Sequence, residues 1–159
     1  MDPHSEGTSS EGTATESAGA EVVIPRLIPL CQVHLKLAAP LVIGSGPSGN
    51  RLVAGIEAMD IRGERLNATL AGATAADWLT TVGTTATIDV RATVVTHDGA
   101  YVYIQYRGRS DTTNGFGSAP VFVSANFETG DARYRWLNNV QAIGRGDFAK
   151  LRYDWFELA

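Results

Sequence analysis

The chain has 159 residues, of which 44% are hydrophobic and 19% charged, and its formal net charge is −4. This length and composition are typical of one globular domain. They exclude a membrane-spanning helix, because no run of 18 apolar residues occurs, and also a disulfide framework or zinc cluster, because Cys31 is the only cysteine.

The negative charge is concentrated in residues 1–21, which are mostly Ser, Thr, Gly and Ala and contain no Lys or Arg. Such a segment cannot bury enough apolar surface to offset the entropy lost on ordering, so it is predicted to be a disordered acidic tail. Residues 22–159 carry 12 acidic and 13 basic side chains and form the predicted β-barrel domain. The acidic residues of the tail are Asp2, Glu6, Glu11, Glu16 and Glu21.

Eight segments of this domain are rich in Val, Ile, Thr, Tyr and Phe and are separated by turn-forming residues, which predicts β-strands. Eight strands with short connections predict an antiparallel meander, which packs as a sandwich or closes into a barrel. We expect a closed or nearly closed eight-stranded barrel, because closure removes the sheet edges and leaves room for one small ligand. The predicted strands are Leu27–Leu37, Arg51–Ile61, Arg65–Ala71, Thr84–Thr96, Ala100–Gly108, Pro120–Phe127, Asn139–Gly144 and Lys150–Leu158.

Four stretches depart from the strand pattern. Gly44–Gly49 is glycine-rich like a phosphate-binding loop but lacks the Gly-Lys-Ser/Thr ending, so we interpret it as a plain loop. Gly72–Thr81 is predicted to be a loop with a helical turn, and Thr129–Leu137 to contain one or two helical turns. Gly108–Ala119 is predicted to be a long polar loop, suited to act as a lid over one end of a barrel.

The clearest hairpin spans Thr87–Arg107. Its turn, His97–Gly99, fits a three-residue loop with glycine in the left-handed conformation. This register pairs Asp89 with Arg107 and Val90 with Tyr106, so that one face of the hairpin is polar and the other apolar.

Asp77 and Trp78 form the first candidate site. A Trp beside a carboxylate can line a pocket mouth and raise the pKa of the carboxylate by partial desolvation, which suits a general acid or base. The alternative interpretation is a helix-capping Asp next to a core Trp.

The polar face of the hairpin is the second candidate. On an open sheet this face would be solvated, with a weak cross-strand ion pair. In a ligand-holding barrel it could face inward as a polar pocket wall, and both interpretations remain open. The face contains Asp89, Arg91, Tyr101, Tyr103, Gln105 and Arg107.

The third candidate is the segment Phe127–Asn138. Tyr134 and Asn138 are hydrogen-bond donors able to bind a carbonyl or stabilise an enolate oxygen. The alternative is structural, with Trp136 and Leu137 plugging one end of the barrel and Asn138 capping the turn.

Taken together, these segments resemble the bacterial and fungal family known as domain of unknown function 3237, over about residues 27–158. The resemblance implies a small closed or nearly closed β-barrel, often dimeric. It does not extend to the acidic tail. The segments that carry the resemblance are GERLNATLAGATAADW at 63–78, IDVRA at 88–92, THDGAYVY at 96–103, FETGDARYRWLN at 127–138 and YDWFEL at 153–158.

We hypothesise a cofactor-independent isomerase or cyclase that acts on a small, largely apolar metabolite inside the barrel, by analogy with other small cyclase barrels. Asp77 or Asp89 would move a proton, and Arg91, Tyr103 or Asn138 would stabilise an oxyanion. The predicted substrate-binding residues are Trp78, Tyr101, Gln105, Tyr134 and Trp136. The alternatives are a non-catalytic carrier and a structural domain with a filled barrel.

The expected partner is a small-molecule ligand, with a homodimer as an additional possibility. No cofactor is expected, and no metal, because His4, His34 and His97 show no ligand spacing. The near-neutral domain argues against nucleic acid, and nothing in the sequence points to a membrane. A cytoplasmic location is expected, because the first residues lack a secretion-signal pattern.

Overall fold

A computed structural model describes residues 22–159, so the predicted tail lies outside the described residues. The described chain folds into ten strands and one 3₁₀ turn, at Arg135–Asn139. Every strand pairing is antiparallel. The strands are β1 Leu27–Leu37, β2 Leu41–Gly46, β3 Gly49–Arg62, β4 Ala68–Leu70, β5 Ala76–Val82, β6 Thr85–Thr96, β7 Tyr101–Asp111, β8 Val121–Glu128, β9 Ala142–Asp147 and β10 Arg152–Leu158.

The sheet closes into an eight-stranded barrel, which confirms the predicted fold. Closure occurs at β1, which pairs with β10 on one side and with β3 on the other. The short β4 and β5 together fill one position, because both pair with β3 and with β6. β2 pairs with β3 beyond the end of β1 and lies outside the closed ring.

The hairpin of β6 and β7 has the register that the sequence predicts. Asp89 pairs with Arg107 and Val90 with Tyr106. Gly99 has a φ of +90°, as the three-residue loop requires. Because side chains alternate between the two faces of a strand, this register places the apolar set inside the barrel.

Two of the predicted irregular segments are wrong. Gly72–Thr81 contains most of β5 rather than a helical turn, because Ala76–Val82 pairs with strands on both sides. Gly44–Gly49 is not a plain loop, since β2 runs to Gly46 and β3 begins at Gly49. The polar loop after β7 is shorter than predicted, because the strand continues to Asp111.

The segments 63–67, 97–100 and 129–140 cover one end of the barrel, called here the closed end. Leu66 and Leu137 are completely buried there, and Ala100 is nearly so. The backbone N–H of His97 donates to the carbonyl of Asn67, which joins two of these segments. The 3₁₀ turn is therefore a plug, as the structural interpretation of Leu137 predicts.

The other end, called here the Asp77 end, is covered by the loops 112–120 and 148–151. Phe116 and Phe148 hold the two loops together by an edge-to-face contact with ring centroids 4.5 Å apart. On the inner face of β9, Gly144 and Gly146 leave room for the large rings of β10. A Cβ at Gly144 would overlap the Trp155 ring, and one at Gly146 would overlap the Tyr153 ring.

None of the helical structure within residues 22–159 is long and apolar enough to span a membrane.

Candidate functional site

Asp77 lies on the inner face of β5 and is 8% exposed. The strand alternation that turns Asp77 inward turns Trp78 outward, where it is 38% exposed. The Oδ1 atom of Asp77 is buried and has no hydrogen-bond partner in the described chain. A buried carboxyl group with an unpaired oxygen lowers the stability of the folded state, so this oxygen makes no contribution to holding the barrel together.

Burial raises the pKa of Asp77 from its ordinary value of 3.8 to about 7. The negative charge of Asp89 also raises this pKa, whereas a backbone hydrogen bond from Asp89 lowers it. The direction of the pKa shift agrees with the sequence-based prediction, but its main cause is burial in the barrel interior rather than the neighbouring Trp78. A carboxyl group with such a pKa exchanges its proton readily near neutral pH.

Asp77 borders a small cavity of about 10 Å³, which holds about one water molecule. The cavity lies beneath the loop 148–151 at the Asp77 end. Most of its lining is apolar or aromatic, so a bound molecule would have to be largely apolar. The lining residues are Leu35, Leu37, Ile56, Asp77, Tyr106, Asp147, Phe148, Leu151 and Tyr153.

Two tyrosines share this cavity, and their ring centroids are 5.7 Å apart. Tyr106 is 1% exposed, and its hydroxyl makes no hydrogen bond to any described residue. Burial raises the pKa values of both Tyr106 and Tyr153, and the negative charge of Asp77 adds to each rise. Both hydroxyls therefore stay protonated at neutral pH and can donate hydrogen bonds to a developing oxyanion.

Neither tyrosine is among the site residues predicted from the sequence. The hairpin register places Tyr106 correctly on the apolar face, where it has the pattern of a core residue. Tyr153 lies in the predicted strand Lys150–Leu158 and in a segment that carries the family resemblance, but it is not assigned to the site. A polar group on a face assigned to the core is the signal available in the sequence.

Two side chains close the cavity from the loop between β9 and β10. Phe148 and Leu151 both line it, and the carbonyl of Leu151 accepts a hydrogen bond from the backbone N–H of Leu35 at 2.8 Å. Leu151 has a φ of +48°, and no other non-glycine residue in the described range has a positive φ. Such a conformation is unfavourable for Leu and marks this loop as strained.

The structure places the side chains of the polar hairpin face on the side of the sheet opposite to Asp77. The burial patterns of β6 and β7 place this face on the outside of the barrel. There Arg107 donates to Asp89 at 2.7 Å and lowers the pKa of that carboxyl group. The predicted site residues on this outer face are Asp89, Arg91, Tyr101, Tyr103 and Gln105.

The predicted residues near the 3₁₀ turn lie at the closed end. The Tyr134 hydroxyl donates to Asp98 Oδ1 at 2.9 Å. Asn138 bonds both backbone groups of Thr129, since its side chain accepts from the N–H at 2.8 Å and donates to the carbonyl at 3.0 Å. Trp136 is stacked under the guanidinium group of Arg65, 4.5 Å from its ring centroid. These contacts hold the plug in place, so of all the predicted site residues only Asp77 borders the cavity.

Within residues 22–159, no three His, Cys, Asp or Glu side chains are grouped closely enough to hold a metal ion.

Comparisons with known proteins identify the relatives of the chain. A family model described as "Protein of unknown function (DUF3237)" matches residues 25–158. No protein with a curated description matches.

Three solved structures share the fold. A β-barrel-like protein from Acinetobacter baumannii AYE is 24% identical, with 88% of this chain and 99% of that chain covered and a TM-score of 0.77. A conserved protein of unknown function from Rhodopseudomonas palustris is 17% identical, with 87% and 100% covered and a TM-score of 0.77. An enzyme from Penicillium herquei is 19% identical, with 89% and 99% covered and a TM-score of 0.74.

Proposed function

The chain belongs to the DUF3237 family, and we propose that it is an enzyme that isomerises or cyclises a small, largely apolar metabolite by proton transfer through Asp77. The observation that carries the proposal is the buried, unpaired carboxyl oxygen of Asp77 in the same cavity as the unpaired hydroxyl of Tyr106. Polar groups that a fold buries and leaves unsatisfied are candidates for a functional role.

In this proposal Asp77 acts as both base and acid. Near pH 7 it is partly ionised, so it can remove a proton from one atom of the substrate and return it to another. The reaction then consumes no other reactant, as an isomerisation or ring closure requires. Tyr106 and Tyr153 donate hydrogen bonds to the oxygen that becomes negative while the proton is on Asp77.

The substrate enters from the Asp77 end. The cavity holds about one water molecule when the cover is in place, so the side chains of Phe148 and Leu151 must move to admit a ligand. The strained backbone at Leu151 and the single edge-to-face contact with Phe116 favour this loop as the moving part. The space vacated by these two side chains is apolar, which sets the substrate class.

The likeness to an enzyme from Penicillium herquei supports a catalytic role for the fold. At 19% identity this is an argument from the fold alone, and folds do not determine chemistry. The chemistry proposed here therefore depends on Asp77 and its neighbours.

The test uses proton exchange, because the natural substrate is not needed for it. Small enolisable ketones and phenols are incubated with the protein in deuterated water, and deuterium incorporation at carbon is followed by nuclear magnetic resonance. We expect the rate with Asp77→Asn to fall by about 10²–10⁴-fold on any compound that the wild type exchanges. We also expect the wild-type rate to rise as the pH passes through about 7, as Asp77 ionises.

Asp60→Asn is the matched control, because it makes the same change at a solvent-accessible carboxyl group of β3 that bonds Arg62 and does not contribute to the pKa shift of Asp77. It should keep the wild-type exchange rate. Equal rates for wild type and folded Asp77→Asn would contradict the proposal. Binding of these compounds without any exchange would favour the non-catalytic carrier instead.

A further inference from the structure

A broad groove of about 730 Å³ crosses the outer face of the barrel, away from the Asp77 cavity. Trp78 and Phe122 stand in it, and Phe122 is 60% exposed. Three arginines line it, and we call it the arginine groove after them: Arg51, Arg107 and Arg109.

Most of the positive charge in the arginine groove is not neutralised. Arg107 is paired with Asp89, which also lines the groove. Arg51 and Arg109 form no salt bridge with any residue in the range 22–159, and neither does Arg145, which is next to Phe122 in the strand register. The groove therefore suits a ligand that carries several negative charges.

The spacing of these arginines follows from the strand register. One row of paired residues runs across six strands, and its first, fourth and sixth members are Arg51, Arg109 and Arg145. At about 4.8 Å between strands, Arg51 and Arg109 are about 14 Å apart and Arg109 and Arg145 about 10 Å apart. The row consists of Arg51, Thr80, Thr87, Arg109, Phe122 and Arg145.

The acidic segment 1–21 of the same chain has the complementary pattern. It carries five acidic residues and no basic one, and from Glu6 onward the acids recur at every fifth residue. In an extended chain five residues span about 16 Å, which matches the distance from Arg51 to Arg109. The charge of the segment therefore fits the groove, and its spacing fits the pair Arg51 and Arg109.

The strand that follows the segment lies near the groove. Pro29 in β1 pairs with Phe156, and Phe156 pairs with Ile143, which lines the groove. Pro29 is thus two strands, or about 10 Å, from the groove, whereas 21 extended residues reach about 70 Å. Residues Val22–Ile24, which connect the segment to β1, are more than 80% exposed.

We propose that the acidic segment 1–21 binds in the arginine groove of its own chain, with its glutamates against Arg51, Arg109 and Arg145. The segment is then a built-in ligand that any other polyanion must displace. The lumen and Asp77 take no part in this contact.

The test attaches a paramagnetic label to Ser10→Cys in the full chain. Cys31 does not compete for the label, because it is buried and burial raises the pKa of its thiol. We expect the amide signals of Thr87 and Ser124 in the groove to lose at least half of their intensity at low salt. The signals of Lys36 and Glu57, away from the groove, should keep theirs.

Salt and charge reversal test whether the contact is electrostatic and specific to the arginine groove. In 1 M salt, where the screening length is about 3 Å, the broadening should disappear. The double variant Arg51→Glu/Arg109→Glu should abolish it, and adding Glu6→Lys, Glu11→Lys and Glu16→Lys to that variant should restore it. The control Arg135→Glu changes an exposed arginine at the closed end and should have no effect.

Equal intensities at groove and control amides would overturn the proposal, and so would broadening that survives Arg51→Glu/Arg109→Glu. A second sample distinguishes binding within one chain from binding between chains. It mixes chains that carry the paramagnetic label but no isotope enrichment with isotope-enriched chains that carry no label. Broadening in that mixture would assign the groove to a second copy and overturn binding within one chain.

Discussion

The two ends of the barrel differ in the hydrogen bonding of their aspartates Asp98 and Asp77. At the closed end, Asp98 accepts hydrogen bonds from Thr96 and Tyr134 and forms a salt bridge with Arg133. At the Asp77 end, Asp77 and Tyr106 are buried with polar atoms that no described residue satisfies. The paired carboxylate therefore stabilises the fold, whereas the unpaired one is available to a ligand.

The segments that cover the two ends also differ in how tightly they are packed. Leu66 and Leu137 close one end with completely buried side chains. The other is closed by two loops that meet through Phe116 and Phe148, next to the strained Leu151. One cover is part of the core, and the other is suited to open.

The largest effect is expected from Leu137→Ala, which removes the plug of the closed end. Deleting a completely buried leucine side chain costs about 2–5 kcal/mol in the free energy of unfolding. Denaturant titration measures it, with Leu151→Ala at the other end as the matched truncation. An equal loss for the two variants would remove the distinction between the covers.

The next effect is a pH dependence produced by Asp77. Because folding raises its pKa from 3.8 to about 7, the folded state holds a proton that the unfolded state releases. The free energy of unfolding should therefore fall between about pH 4 and pH 7, by at most about 4 kcal/mol at 1.4 kcal/mol per pH unit. Asp77→Asn should lose this dependence. The measurement is the free energy of unfolding of both proteins as a function of pH, and identical curves for wild type and variant would contradict the assignment.

A smaller loss is expected from Asn138→Ala. Its side chain makes two hydrogen bonds to the backbone of Thr129, and their removal should cost about 1–3 kcal/mol. Chemical unfolding measures the loss, and the exchange activity of the Asp77 end should not change. A variant of normal stability without activity would place Asn138 in the site after all.

The smallest effect is expected from Tyr106→Phe. Its hydroxyl has no partner among the described residues, so its removal should change the stability by less than about 1 kcal/mol. Tyr134→Phe, which loses the bond to Asp98, should lower the melting temperature clearly. If the two variants behave alike in thermal unfolding, the Tyr106 hydroxyl has a partner that the fold does not reveal.

The fold could be predicted from the sequence wherever strand alternation and turn chemistry agreed. The hairpin of β6 and β7 is the best example, since only one register gives an apolar face and its glycine turn fits that register. β2 was missed because it ends in Gly44, Ser45 and Gly46, and β5 because the glycine- and alanine-rich run 72–76 that leads into it has little strand preference. They are strands because β3 pairs with both.

The candidate site was less predictable. Asp77 was predicted because Trp78 adjoins it, yet alternation along β5 places the two residues on opposite faces. Tyr153 reaches the cavity from β10, which pairs with β1 and β9, and only closure of the barrel brings it near Asp77. A contact between strands so distant in sequence leaves no local pattern to read.

The two glycines of β9, Gly144 and Gly146, determine how much space the aromatic rings of β10 have inside the barrel. A methyl group at Gly146 would overlap the Tyr153 ring, which lines the cavity, and one at Gly144 would overlap the Trp155 ring. Neither position bears a functional group, and neither is in the loops that cover the site. A substitution at either glycine would therefore change how the rings of β10 pack next to Asp77, without altering the loops that cover this end.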